Sequence, residues 1–414
     1  QVRAADHAGL GDLLALQSAI EAKKVEHLVL LTPANPVFDA PADVDVASWF
    51  GKLQSALHWG LRLDATAHVA TVHIPAAHYL ESWADARTSS GLHTLIQPMI
   101  LPLYPSCVSE LELLSAFLHE EFKVVTGEES AGLTAVRATV AGSDEDWRKA
   151  LREGYVEKAY AAEGSWKPLQ SSVKPIGAEL PSETSLDVIF ATDASIYDGR
   201  WIDNAWLQES PDPVSKLTWD NAALISPKTA KALGIYDQII ELESARASVS
   251  PDGEGQARKS PVVTIELHGQ ILEIAILVAF GLAENTLVLP VGYGQGYDKE
   301  DQLKRGPDRA AHVSLVGVNR GFNVYPLRTS QTTYAAQGAK VTKTQKRYSV
   351  ALTQEHNAMY GRALAREIST LKSEKGDFAA QYAGVTKQGN DAHAPDNISP
   401  VSYTHLRAHE TEAD

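Results

Sequence analysis

AALISPKTAKALGI, residues 222–235, decides the fold, because it places one short capped helix among strands. Ser226 can cap this helix, Pro227 suits its first position, and Gly234 suits its end. Around it, short apolar runs alternate with turn residues, which predicts strands. These runs are Leu186–Phe190, Ile235–Leu242, Val262–Leu267, Ile271–Val278 and Thr286–Val291. Several short strands with a single helix predict a closed β-barrel.

The sequence before the barrel alternates between helical and strand patterns. An α/β layer with parallel strands is therefore predicted there. The predicted strands are His27–Leu31, Leu57–Leu63 and Val69–Ile74. The predicted helices are Leu10–Ala22, Val44–Leu57, a turn from Asp64, Val108–Phe122 and Asp144–Leu151.

Composition excludes several classes of protein. The 414 residues suffice for two or three domains, and a hydrophobic share of 44% is typical of a globular protein. A formal charge of -15 argues against nucleic acid as a partner. No apolar run reaches the length of a membrane span. Cys107 is the single cysteine, so no disulfide and no Cys-ligated metal cluster can form within these residues.

Three histidines, His68, His73 and His78, stand five residues apart. Residues at this spacing point about 140° apart on a helix and to opposite faces of a strand. Surface or packing roles are therefore favoured over a metal site. A hydrolase that uses these histidines is kept as the simplest alternative.

Other candidate motifs are weak. The glycine-rich stretch Gly292–Gly296 follows a strand, but the charged residues 297–301 come next, which favours a flexible surface turn over a phosphate cradle. Cys107 is predicted to be a buried small residue. Glu81 and Asp85 are predicted to serve a helix start or to pair with Arg87 rather than to act as acid and base. No catalytic residue and no metal ligand are predicted.

A family resemblance appears in longer segments. Leu30–Pro36, Asp64–Ala67 and Ile74–Glu81 resemble the rear part of the molybdopterin oxidoreductase α/β domain. Trp219–Ile235 and Gly269–Gly294 resemble the double-psi β-barrel that follows it in that family. The resemblance thus implies an α/β fold class, the rear part of that domain followed by a double-psi β-barrel.

A narrower resemblance lies in YDGRWIDNAWLQE, residues 197–209, and KLTWDN, residues 216–221. These segments resemble the molybdopterin-oxidoreductase-like iron-sulfur subunit of alternative complex III, a membrane-bound quinol-oxidising assembly. The resemblance implies a non-catalytic scaffold on the periplasmic side of the bacterial cytoplasmic membrane, peripheral and without a membrane span of its own. Its implied partners are membrane-embedded and multi-haem cytochrome subunits. Its implied iron-sulfur clusters belong to a missing C-terminal portion, and no cofactor is expected within these residues.

Departures from the catalytic members support the same interpretation. Ala84–Arg87 stands where Gly-Thr and Asn are usual, and Asp237-Gln238 stands where Gly-Asp is usual. Side chains there weaken a close fit around a pterin dinucleotide. The alternative is a catalytic fragment that binds a pterin guanine dinucleotide. In that case the lining residues would be Trp219, Asn221, Tyr293, Gln295, Asn323 and Arg328.

The predicted domain organisation follows from these segments. Residues 1–160 are assigned to the partial α/β domain, 161–184 to a linker and 185–337 to the barrel. Residues 338–400 are predicted to connect toward the iron-sulfur portion. Residues 401–414 are predicted to be a non-native tail.

Overall fold

The computed structural model describes residues 10–32, 34–88, 92–118, 130–140, 142–157, 180–236, 258–296 and 316–352. The described residues as far as Ala351 belong to one compact unit. The predicted linker lies almost wholly outside the described residues, so the domain boundaries at 160 and 185 stay predictions.

The N-terminal part is built on three parallel strands in the order β1-β2-β3. These strands are β1 (His27–Leu31), β2 (Ser55–Gly60) and β3 (Val72–Pro75). The helices among them are α1 (Leu10–Glu21), α2 (Pro36–Asp39), α3 (Val46–Phe50) and α4 (Ala65–Val69). The predicted parallel layer is therefore present, although α3 ends at Phe50, well before the predicted Leu57. Gly51 and a turn follow, and β2 begins at Ser55.

A second, antiparallel sheet has the order β4-β5-β6 and was not predicted. Its strands are β4 (Ala84–Arg87), β5 (Leu92–Ile96) and β6 (Tyr155–Glu157). The helices beside it are α5 (Glu110–Phe117), α6 (Ala131–Val140) and α7 (Asp144–Glu153). A capping box fixes the start of α5, because Ser109 and Glu112 each accept a backbone N–H from the other. A small core joins Val136, Val140, Trp147 and Ala150.

Six strands of the C-terminal part close into a barrel. Around the ring the order is β7-β13-β10-β11-β9-β12 and back to β7. The strands, with β8 attached beside β13, are β7 (Leu186–Ala191), β8 (Leu217–Thr218), β9 (Ala223–Ile225), β10 (Arg258–Leu267), β11 (Gln270–Val278), β12 (Thr286–Pro290) and β13 (Ala335–Leu352). The helices of this part are α8 (Ala205–Glu209) and α9 (Pro227–Ala232). As predicted, Ser226 caps α9 by accepting from Thr229 N, and Gly234 takes a positive φ after it.

The barrel core consists of inward-facing aliphatic side chains, among them Leu186, Val188, Ile225, Ile265 and Leu289. Buried positions alternate with more exposed ones along β7, whereas four consecutive residues of β11, Ile274–Leu277, are buried. Most barrel strands could be predicted because they are short apolar runs between turn residues. The predicted strand Ile235–Leu242 falls mainly outside the described residues.

The last strand differs from the prediction. The chain was expected to leave the barrel at residue 338, but β13 continues to Leu352 and pairs with β10 as far as Val350. Its outward side chains are Lys, Thr and Gln, and a bulge interrupts its alternation. This strand was therefore not predicted, because its polar composition is typical of a connecting segment.

Candidate functional site

A cleft of about 710 Å³ lies where the parallel sheet meets the segment before α8. Loops after β1, β2 and β3 supply one wall, at the carboxyl ends of parallel strands, where ligands of α/β folds usually bind. The other wall is the segment 200–206. The lining residues are Thr32, Gly60, Leu61, Arg62, Asp64, His78, Tyr79, Arg200, Trp201, Asp203, Asn204, Ala205 and Trp206.

The loops of the sheet wall hold each other in place. The Asn35 Oδ1 atom accepts hydrogen bonds from Thr66 N at 3.1 Å and Thr66 Oγ1 at 2.8 Å. Asp64 caps α4 by accepting from Ala67 N at 2.9 Å. Burial raises the pKa of Asp64 above its ordinary value, although the hydrogen bond from Ala67 opposes the shift. Asn35 and Thr66 therefore shape the wall from behind, whereas Asp64 both caps α4 and lines the cleft.

Charges on the cleft floor are paired within the protein. Arg62 donates to Asp203 at 3.2 Å and joins the sheet wall to the barrel part. Arg200 makes two bonds to Asp198, at 2.9 and 2.7 Å. Neither guanidinium is left as an uncompensated cation, and the exposed rings of Tyr79 and Trp206 give the cleft an aromatic rim.

The glycine-rich loop Gly292–Gly296 is not a surface turn, which corrects the sequence prediction. A Cβ atom on Gly292 would lie 2.5 Å from Gly199 N, and one on Gly294 would lie 2.3 Å from Asn323 N. The loop is mostly buried because the backbones of the segments around Gly199 and Asn323 pack directly against it. The space above its backbone is therefore filled by the protein itself.

Two of the six residues proposed for a pterin have their side-chain amides bonded within the fold. Asn221 Nδ2 donates to Pro290 O at 2.8 Å and Phe322 O at 3.0 Å, and its Oδ1 accepts from Phe322 N at 2.7 Å. Gln295 Nε2 donates to Gly199 O at 2.9 Å and Gly292 O at 3.0 Å. Each amide group has thus used both of its N–H donors.

The other four are spread through the barrel part. Tyr293 is buried in a small core with Ile196 and Ile202, and burial raises its pKa. Trp219 N donates to Gln208 O at 3.1 Å. Asn323 Oδ1 accepts from Tyr325 N at 3.1 Å. Arg328 Nε donates to Thr333 O at 2.9 Å. In this arrangement Asn221, Tyr293 and Gln295 serve the fold, so three of the six residues are engaged in internal contacts.

A smaller cavity of about 250 Å³ contains Arg328 together with Asp39, Asp198, Arg200 and Tyr325. Burial raises the pKa of Asp39 to about 6, and the hydrogen bond from Asn35 N at 3.1 Å opposes this. Tyr325 donates to Asp198 O at 2.8 Å and so links the same residues. Asp39 is the acid of this cavity that can change its charge near neutral pH.

The histidines do not gather into a metal site. His73 Nδ1 lies 3.1 Å from Nδ1 of His58 on the neighbouring strand β2, while His78 Nδ1 accepts from Leu80 N at 3.3 Å. The structure describes no group of three or more His, Cys, Asp or Glu side chains placed to hold a metal ion. Burial lowers the pKa of both His58 and His73, which favours their neutral forms.

The remaining candidates have structural roles. Glu81 accepts backbone N–H groups from His78 and Leu103, both at 2.9 Å. Asp85 contacts His93 Nε2 and does not pair with Glu81 as acid and base. Cys107 is buried, as predicted, and burial raises its pKa, which disfavours the reactive thiolate.

Sequence reasoning missed the residues that line the cleft, above all Arg62, Tyr79, Trp201 and Trp206. Arg62 lies at the end of one predicted strand of the parallel sheet and Tyr79 follows another, and that position was the available signal. Trp201 and Trp206 belong to the segment of narrow family resemblance, but only the fold brings them opposite the sheet.

Comparison with known proteins supports the fold and goes no further. No family model matches the chain, and no curated protein matches its sequence. Among solved structures, acetylene hydratase from Pelobacter acetylenicus resembles it with a TM-score of 0.52 and 16% identity. The match covers 80% of this chain and 46% of that one, so the chain spans less than half of its length. The predicted fold class is confirmed as a fold: an α/β part with a parallel sheet is followed by a closed six-stranded β-barrel, as in this solved structure.

Proposed function

We propose that this chain is a non-catalytic, molybdopterin-oxidoreductase-like scaffold in a respiratory electron-transfer subunit of the alternative complex III type. In this role it holds iron-sulfur clusters of the same polypeptide near membrane-embedded and multi-haem cytochrome subunits. The proposed location is the periplasmic side of the membrane. Within the described part of the chain, every helix is too short or too polar to cross a bilayer.

One observation carries the proposal: the segment around Gly199 occupies the space over the glycine-rich loop. A Cβ atom on Gly199 would lie 2.4 Å from Gln295 Nε2 and 2.6 Å from Gly292 O, so the two backbones are in direct contact. Residues 197–209 also carry the narrow family resemblance. The same stretch thus supports both the membership and the loss of a dinucleotide site.

A second candidate is a catalytic molybdopterin-dependent oxidoreductase. The cleft at the ends of the parallel strands supports it, since its volume of about 710 Å³ can take a ligand of that class. This candidate requires the segment 197–209 to move away from the glycine-rich loop when the ligand binds.

Metal and pterin analysis separates the two. The full-length protein is purified with its native partners, and iron, molybdenum, tungsten and oxidised pterin are quantified per polypeptide. The scaffold proposal expects iron and haem without molybdenum, tungsten or pterin. One molybdenum or tungsten with a pterin dinucleotide per chain would overturn it and select the enzyme.

A further inference from the structure

A loop between β5 and α5 presents an unusual run of exposed apolar side chains. Its members, which we call the 99–104 loop, are exposed as follows: Met99 75%, Ile100 45%, Leu101 85%, Leu103 73% and Tyr104 69%. Large apolar side chains scattered singly on a surface are normal, but a contiguous set marks an interaction site.

Hydrogen bonds to the preceding segment fix the backbone of this loop. Leu80 O accepts from Met99 N at 2.7 Å and from Ile100 N at 3.1 Å. The Glu81 carboxylate accepts from Leu103 N at 2.9 Å. The loop is therefore held in shape before any partner arrives, which lowers the entropy cost of binding.

The same bonds prepare the loop for a dry environment. Pro102 and Pro105 carry no backbone N–H, and those of Met99, Ile100 and Leu103 are already bonded within the protein. If a partner buries this stretch, few backbone N–H groups are left without a hydrogen bond. Unsatisfied N–H groups are the main reason why burying a loop is unfavourable.

Charge is absent from the loop's own stretch of sequence, and the Glu81 carboxylate that contacts the loop is bonded to the backbone N–H groups of His78 and Leu103. From Thr88 to Ser109 there is no Asp, Glu, Lys or Arg, although 89 such residues occur in the 414. A partner surface with the same character, apolar and uncharged, suits this loop, because an unpaired charge would lose its water there.

Magnitudes favour a protein over a lipid bilayer. Five partly exposed side chains offer about as much hydrocarbon as one myristoyl chain, which alone gives only marginal membrane binding. Basic residues usually add the missing attraction to anionic lipids, but this stretch has none and the chain carries -15. A preformed recess on a protein needs no such attraction.

We propose that the 99–104 loop is a docking element that inserts into an uncharged, apolar recess on a partner protein. The inference rests on the loop and holds whatever the partner does. It therefore goes beyond the assembly proposed above.

Site-specific photo-crosslinking tests this inference. A benzophenone amino acid replaces Leu101 in the full-length protein, in cells that make it, and replaces Phe280, 72% exposed on the barrel part, as a matched control. The expected result is a crosslink from position 101 to one identified protein, at apolar and uncharged residues, without the same product from position 280. Leu103→Ser should lower the yield about tenfold, and the melting temperature should stay unchanged.

Other products at position 101 would overturn the inference. These are no crosslink, a crosslink to lipid, or a crosslink within the same chain or to a second copy. Sedimentation with phosphatidylcholine vesicles that Leu101→Ser abolishes would likewise assign the loop to a bilayer. If the proposed respiratory subunits co-purify with the protein but position 101 gives no crosslink, this inference alone is contradicted. A crosslinked partner that is neither a membrane-embedded subunit nor a multi-haem cytochrome would contradict the proposed function alone.

Discussion

Asn221 shows how one buried side chain can link two segments of the fold. Its amide joins the end of β12, through Pro290 O, to the backbone of Phe322, and the residue is 1% exposed. An amide in this position serves the fold, because its bonds are spent and no water reaches it.

Replacing Asn221 with Ala should therefore be costly. Three bonds are lost and the carbonyls of Pro290 and Phe322 lose their donor, so we expect the free energy of unfolding to fall by about 2–4 kcal/mol. Urea denaturation measures it. Asn204→Ala is the control, since Asn204 caps α8 at an exposed site and its loss should cost about 1 kcal/mol. Equal costs for the two variants would contradict the role given to Asn221.

At the scale of residues, Asp220 makes the stability of the fold depend on pH. Burial raises its pKa from 3.8 to about 6, and a hydrogen bond from Tyr348 only partly opposes the shift. Because the folded state holds the proton more tightly, Asp220 contributes stability below pH 4 and loses it as pH rises through 6.

Asp220→Asn should therefore stabilise the protein increasingly as pH rises from 4 to 8. The gain over the wild type is expected to grow by up to about 3 kcal/mol, since asparagine carries no charge and its Oδ1 atom can still accept the hydrogen bond from Asn221 N. Urea denaturation at several pH values measures the difference. A difference that stays constant over this range would refute the assignment.

At the scale of elements, the contact between the glycine-rich loop and the segment around Gly199 leaves no room for a side chain and requires a positive φ. Gly199 has a φ of +99 and its missing Cβ would overlap Gln295, whereas Gly281 has a φ of +85 with open space around it. A substitution at Gly281 therefore tests the cost of the backbone conformation alone, and one at Gly199 tests that cost together with the cost of tight packing.

Gly281→Ala should cost about 1–2 kcal/mol from backbone strain alone. Gly199→Ala should lower the free energy of unfolding clearly more, by about 3 kcal/mol or above, because the glycine-rich loop must also move. Urea denaturation and soluble yield report both changes. Similar costs would show that the loop yields easily, and would weaken the argument against a dinucleotide site.

Sequence periodicity predicted the elements whose pattern is local. The strands β1, β7, β11 and β12 appear close to their predicted positions because inward-facing aliphatic residues mark each one. The strand β13 was missed because its outward residues are polar and a bulge breaks the alternation.

The site was less predictable than the elements. The glycine-rich loop was mistaken for a surface turn because Gly199, which covers Gly292, lies far away in sequence. Composition around a loop cannot show which distant backbone will fill it. For the same reason the cleft could be expected at strand ends, but its aromatic wall could not.

At the scale of the molecule, Arg62 and Asp203 connect the parallel sheet to the barrel part. Their side chains are each 23% exposed, and their atoms lie 3.2 Å apart. Partial shielding from water makes the pair stronger than an open surface ion pair, which contributes little.

A double-mutant cycle with Arg62→Met and Asp203→Asn should give a coupling energy of about 1 kcal/mol. The free energies of unfolding of the wild type, both single variants and the double variant provide it. Lys228 and Glu284, an exposed pair, are the control and should couple more weakly. Strict additivity of the first two substitutions would mean that this ion pair does not hold the two parts together.

Closure of the barrel by β13 has a consequence for biosynthesis. This strand pairs with β7, where Ala339 lies opposite Leu186, so the ring cannot close until the ribosome has delivered both ends. At usual elongation rates the interval is roughly 10–30 s. During that time β7 waits with an open edge on the nascent chain, a natural substrate for chaperones that shield unpaired strands.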